Sequence, residues 1–88
     1  MNNKFDLREH IVGYCSHAAL NKSLFGKVDL GDDSYHSELL YQMAKTMYNK
    51  DIAKSIVKAK EECMRSLSLA SIDTMRNRIG RIISLGQC

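Results

Sequence analysis

A stripe of large apolar residues runs through the last third of the chain, from Leu67 to Leu85, in the stretch LSLASIDTMRNRIGRIISL. The apolar positions recur with the spacing of one face of an α-helix. The residues of this stripe are Leu69, Ile72, Met75, Ile79, Ile82 and Ile83. Such a face needs burial, so further helices or a second subunit must cover it.

The chain has 88 residues, which predicts a single domain spanning residues 1–88. Its 44% hydrophobic and 26% charged residues are ordinary for a globular protein and unlike a disordered one. It contains no proline, which is compatible with an all-α fold. Because a chain of this size buries only a modest core, we expect a partner to add stability.

The motif Asp6-Leu7-Arg8-Glu9 has the composition of a helix N-terminus. Here the Asp6 carboxylate accepts from N–H groups of the first turn, and the Glu9 side chain reaches back to the Asp6 amide. The apolar face that follows consists of Leu7, Ile11, Tyr14, Cys15 and Ala18. The pattern predicts a first helix over residues 6–20.

Residues 21–33, NKSLFGKVDLGDD, contain two glycines and only a brief alternation of apolar and polar residues, which predicts a loop. The large apolar residues of this segment are Leu24, Phe25, Val28 and Leu30. We expect them to fold back over the core, because together they would otherwise form an adhesive patch. The alternative is that this segment is a partner-binding surface.

A second helix is predicted over residues 34–48, with Asp32 or Asp33 as its cap. Its predicted buried stripe consists of His36, Leu39, Leu40, Met43 and Met47. We expect His36 to be partly buried and to have a hydrogen-bonding partner.

A third helix is predicted over residues 51–66, with Asp51 as its cap, and a fourth over residues 69–85. A second apolar row widens the buried face of the third helix; it consists of Ala53, Val57 and Met64. This row predicts a self-association face and hence a homodimer or higher oligomer. The alternative is that the third and fourth helices fuse into one long helix.

The polar side of the fourth helix carries the residues most suited to bind an anionic partner. They are Thr74, Asn77, Arg78 and Arg81. Residues 34–88 hold nine basic and five acidic side chains, a net +4, whereas residues 1–33 hold four and five. This excess favours an acidic partner but falls short of the concentrated patches usual in nucleic-acid binders, and a solvated face explains it more simply.

No motif of enzyme chemistry is present in the sequence. Cys15 and Cys63 fall on apolar stripes, where thiols behave as small hydrophobes, and His10 and His17 are too far apart along their helix to share a metal. We therefore expect no enzymatic activity, no metal and no cofactor. Three widely spaced cysteines and the absence of a signal sequence predict a cytoplasmic protein that does not contact membranes.

The segment SIDTMRNRIGRII, residues 71–83, resembles the recognition helix of LuxR/GerE-type helix-turn-helix domains, and residues 38–56 resemble the helices that precede it. The resemblance implies that Thr74, Asn77, Arg78 and Arg81 face DNA. The chain departs from the family between the two segments. The family has a short turn there, whereas this chain has the sequence VKAKEECMRSLSLAS, whose pattern predicts continued helix.

Small size, an apolar surplus and the lack of site chemistry together predict a small bundle of four helices that binds another protein. We expect a non-enzymatic regulatory protein of the bacterial or phage modulator type. The alternative is a DNA-binding transcriptional regulator that uses its C-terminal helix.

Overall fold

The computed structural model describes residues 5–28 and 33–86, and these form four α-helices. They are α1 (Leu7–Phe25), α2 (Asp33–Met47), α3 (Lys50–Ser66) and α4 (Leu69–Gly86). The structure confirms the predicted all-α bundle of four helices.

Helix α3 is the centre of the bundle and packs against each of the other three helices, while α1 also packs along α4. The core is built from one face of each helix; its largest fully buried apolar residues are Leu7, Ile11, Leu40, Ile56 and Ile79. Met75 of the C-terminal stripe lies against Cys15 of α1, with 3.7 Å between their sulfur atoms. The apolar periodicity of α4 therefore does produce a buried face.

Helix α1 begins as predicted but ends later. The Asp6 carboxylate accepts from the Glu9 amide at 3.2 Å, whereas the Glu9 carboxylate pairs with Arg76 of α4. The helix continues to Gly26, whose φ of 75° lets its N–H bond to the Lys22 carbonyl. The assignment of residues 21–25 to a loop is wrong, because the helix stops only at a residue that adopts the left-handed conformation without strain.

The start of α3 differs from the predicted one in its capping residue: Asn49, and not Asp51, caps the helix, since its side chain accepts from the Ile52 amide at 2.9 Å. The break between α3 and α4 lies where it was predicted. Helix α3 ends at Ser66, and the next residue, Leu67, has a φ of 46°, so the fused helix is ruled out. Ser68 and Ser71 then exchange backbone-to-hydroxyl hydrogen bonds of 2.9 and 3.0 Å, which cap the start of α4.

Several residues predicted to be buried lie at the surface. Leu24, Phe25 and Val28 are exposed and do not fold over the core, and Leu30 lies outside the described residues. Leu69 is exposed because it is the first residue of α4 and extends beyond the core. On α2 the face turned to the core is centred on Leu40 and Ala44, which leaves Leu39 and Met47 substantially exposed.

Within the described ranges, each helix is too short or too polar to span a lipid bilayer.

Candidate functional site

The polar face of α4 is only partly available to a partner. Thr74, Asn77 and Arg81 are exposed, as their positions on the helix predict. Arg78 instead donates a hydrogen bond to the Glu62 carboxylate on α3, and this bond holds the pKa of Glu62 below its ordinary value. Arg78 therefore serves first to join α3 to α4.

An open groove of about 660 Å³ runs beside the exposed part of this face. Its lining consists of Arg8, Asn77, Gly80, Arg81, Ser84 and Leu85. Arg8 was not among the predicted site residues, because it lies on α1 and reaches the groove only through the packing of α1 against α4. Its guanidinium reaches across Gly80, where an added Cβ would lie 2.7 Å from the Arg8 Nη1 atom. The groove thus places two arginines beside an exposed leucine.

The predicted self-association face is only partly accessible in the single chain. Ala53 is fully buried in the core of the single chain, and Val57 and Met64 are partly buried against it. These three residues widen the buried face of α3 because that helix contacts three neighbours within one chain.

A different apolar surface lies at the end of the bundle where α1 finishes and α4 begins. Helices α1 and α4 are antiparallel, because Arg8 lies beside Gly80 and Cys15 lies against Met75. The last residues of α1 and the first residues of α4 therefore lie at the same end of the bundle. We call the exposed residues at this end the apolar end patch: Leu20, Leu24, Phe25 and Leu69.

A polar network joins α1, α2 and α3 inside the bundle. The Lys60 side chain is 0% exposed, and its Nζ donates to Asp33 Oδ1 and to Ser37 Oγ, both at 2.8 Å. The Tyr14 hydroxyl donates to the same Asp33 oxygen at 2.8 Å. Because no surface of Lys60 is accessible, a substrate cannot reach its ammonium group, and the network is structural.

His36 lies beside this network, and its ring is not hydrogen-bonded as expected. Its ring stacks on Tyr14 with 3.6 Å between the ring centroids, and neither ring nitrogen has a hydrogen-bonding partner in the described part of the chain. The expectation of such a partner is wrong. Burial lowers the pKa of His36, and the nearby Lys60 and His10 lower it further. His36 is consequently neutral at pH 7.

The described cysteines are packing residues. Cys15 and Cys63 are both free and buried, as their positions on apolar stripes predict. Burial, followed by the neighbouring Cys63, raises the pKa of Cys15 to about 12, which is the opposite of what a nucleophilic thiol requires. Among the described residues, no group of three or more His, Cys, Asp or Glu side chains is placed to hold a metal ion.

The sequence contained a signal for Lys60, and it offered Leu24 and Phe25 as part of a partner-binding surface only as an alternative. Lys60 falls between Ile56 and Cys63 on the apolar stripe of α3, and a lysine in such a position indicates a buried partner. The apolar end patch depends on where the bundle ends, which the periodicity of single helices does not encode.

Comparison of the chain with protein-family models, with curated proteins and with solved structures finds no match. The resemblance to LuxR/GerE-type domains stays a prediction.

Proposed function

We propose that this protein is a non-enzymatic regulatory protein that acts by binding another protein through the apolar end patch. The observation that carries the proposal is the exposure of large apolar side chains at one end of the bundle: Leu24 is 64%, Phe25 70% and Leu69 83% exposed. Large apolar side chains left exposed on a small protein are typical of an interaction site. Phe25 supplies an aromatic side chain, a residue type enriched at protein–protein interfaces.

The charges near the patch favour a partner with acidic groups. Lys22, Lys27 and Arg65 lie on the segments that border it, at the end of α1 and the end of α3. A complementary partner presents an apolar centre surrounded by carboxylates, since opposite charges at the rim of an interface speed association. The free thiols of Cys15 and Cys63 support a reducing, cytoplasmic location.

The test compares two leucines of similar exposure on different surfaces. Leu24 belongs to the patch and Leu85 to the arginine-lined groove. Immobilised wild-type protein, Leu24→Ser and Leu85→Ser are each exposed to lysate of the source organism, and retained proteins are quantified by mass spectrometry. We expect at least one protein that wild type and Leu85→Ser retain and Leu24→Ser loses, with the helical circular dichroism of all three unchanged.

Retention of the same proteins by all three baits, or of none above background, would contradict the assignment. If only Leu85→Ser loses a retained protein, the groove and not the apolar end patch is the binding surface.

The groove itself supports DNA binding as a second candidate, because Arg8 and Arg81 converge there with Asn77. Arginines so placed suit contacts with phosphate. We expect Arg81→Glu to abolish any DNA binding seen in low salt, since Arg78 is already engaged with Glu62. Absence of measurable affinity for duplex DNA in low salt would eliminate this candidate.

A further inference from the structure

We infer that α1 and α2 meet in an acid-sensitive contact, which opens when His36 is protonated and leaves both helices packed on the rest of the bundle. The contact consists of His10 and Tyr14 of α1 against His36 of α2, and we call it the histidine contact. The inference concerns a conformational change of the chain itself. It does not depend on the function assigned to the apolar end patch.

Few side chains join α1 to α2, because α1 packs mainly on α3 and α4. The ring of His36 stacks on Tyr14 with 3.6 Å between the centroids and 9° between the planes, and its centroid lies 5.6 Å from that of His10. The Tyr14 hydroxyl adds a hydrogen bond to Asp33. The buried apolar residues of α2 begin only at Leu40. The first turn of α2 is therefore held to α1 by rings and a hydrogen bond rather than by apolar burial.

The groups around His36 oppose a positive charge on its ring. From α3, Lys60 Nζ lies 5.1 Å from the centre of the Tyr14 ring on which His36 stacks. From α1, His10 is a second group that takes up a proton in mild acid. From α2, Asp33 attracts a charged His36, but its Oδ1 already accepts from Lys60 and Tyr14.

A protonated His36 also has two N–H groups to satisfy. In the described part of the chain, neither of its buried ring nitrogens has a hydrogen-bonding partner. A buried donor without an acceptor is costly, and a buried charge without one is more so. The charged ring therefore gains more by leaving the stack for water than by remaining on Tyr14.

The other contacts of the two helices withstand the same acid, so the opening is local. Helix α1 stays on α4 through Cys15 and Met75, whose sulfur atoms are 3.7 Å apart. Helix α2 stays on α3 through Lys60 and Asp33, because the hydrogen bonds from Lys60 and Tyr14 outweigh burial and keep the pKa of Asp33 below its ordinary value. Acid thus opens a cleft between α1 and α2 within a folded bundle.

The test is nuclear Overhauser spectroscopy of the full chain at about pH 7.5 and about pH 5, on either side of the ordinary pKa of histidine. We expect cross-peaks between the Tyr14 and His36 rings at the higher pH, and a loss of at least about fivefold in their intensity at the lower pH. Cross-peaks between Cys15 and Met75 report on the contact of α1 with α4, and we expect them to keep their intensity.

Two histidine variants assign the effect to one ring. His36→Phe keeps the stack without a titratable group, so its cross-peaks to Tyr14 are expected to persist at the lower pH. His36→Tyr replaces it if circular dichroism shows that the phenylalanine variant is unfolded. His17→Asn removes an exposed histidine of α1 outside the histidine contact, and this variant is expected to open like wild type.

Four results would overturn the inference. Persistence of the Tyr14–His36 cross-peaks in wild type at the lower pH would show that the contact does not open. Loss of the Cys15–Met75 cross-peaks together with them would show that the whole bundle unfolds. An equal loss of intensity in the neutral-ring variant, or no loss in His17→Asn, would show that a group other than His36 is responsible.

Discussion

Lys60 Nζ lies 2.8 Å from Asp33 Oδ1, although the Lys60 side chain is completely buried and the Asp33 side chain is 45% exposed. A buried ammonium group is tolerated only when hydrogen bonds replace its hydration, and here Asp33 and Ser37 provide them. Burial by itself raises the pKa of Asp33, but the hydrogen bonds from Lys60 and Tyr14 outweigh that effect and keep the pKa below its ordinary value. The pair fixes the first turn of α2 against α3.

Truncation of Lys60 is expected to destabilise the fold strongly. Lys60→Ala removes both the charge pair and the packing of the buried methylene groups, so we expect a loss of about 2–4 kcal/mol in the free energy of unfolding. Lys60→Met keeps most of the packing and should lose less. Urea denaturation of both variants measures the difference, and a loss below about 0.5 kcal/mol for Lys60→Ala would refute the role given to the network.

His36 is expected to make the fold sensitive to mild acid. Its pKa is lowered in the folded chain, so between its unfolded value of about 6.5 and the lower folded value the unfolded chain binds more protons. The contribution of neutral His36 to the free energy of unfolding is fully present above this pH range. It is lost as the pH falls through the range. We expect the free energy of unfolding of wild type to fall as the pH is lowered below about 6.5.

Substitution of His36 by phenylalanine isolates this effect. His36→Phe keeps the stack on Tyr14 and removes two buried nitrogens without partners, so we expect a gain of about 1 kcal/mol at neutral pH and a weaker pH dependence. Tyr14→Phe is the control, because it removes the hydroxyl bonded to Asp33 and leaves His36 able to titrate. Identical pH profiles for wild type and His36→Phe would contradict the prediction.

Leu67 combines a strained backbone with a buried side chain, as it has a φ of 46° and is only 8% exposed. Both Leu67→Ala and Leu67→Gly lose the packing of that side chain, but only glycine relieves the left-handed conformation. We expect Leu67→Gly to be about 1 kcal/mol more stable than Leu67→Ala in thermal or urea unfolding. Greater stability of the alanine variant would show that the turn between α3 and α4 rearranges.

Cys15 and Cys63 are expected to be unreactive in the folded chain. Burial raises the pKa of Cys15 to about 12, so almost no thiolate is present near pH 8. In a Cys88→Ser variant, we expect modification by iodoacetamide at least about 100-fold slower in buffer than in urea. Comparable rates under the two conditions would mean that the core opens readily.

The regular parts of the fold were predictable because they depend on local periodicity. The Asp6 cap and the stripe of α4 around Ile72 and Ile79 are encoded in adjacent residues, and the structure confirms them. The end of α1 at Gly26 was missed because residues 21–25 lack a clear apolar periodicity. The break between α3 and α4 was predicted between residues 66 and 69, but only the structure excludes the fused helix that was its alternative.

The candidate site was predictable only in part, and for a similar reason. Exposure of Thr74, Asn77 and Arg81 follows from their place on α4, but the pairing of Arg78 with Glu62 depends on how α3 and α4 pack. The orientation of α2 also had to come from the structure. Because the buried face of α2 is centred on Leu40, the adjacent Leu39 points outward. A rotation of α2 by the angle between two successive residues would bury Leu39 instead.

The most direct test of the proposed function is site-specific photo-crosslinking from the apolar end patch in the source organism. A photoreactive phenylalanine analogue at Phe25, which is 70% exposed, is compared with the same analogue at Tyr35 on α2. We predict a crosslinked protein partner from position 25 that disappears when Leu24→Ser is added and does not form from position 35. No crosslinked partner from position 25, or one that persists with Leu24→Ser, would contradict the proposal that this protein acts through its apolar end patch.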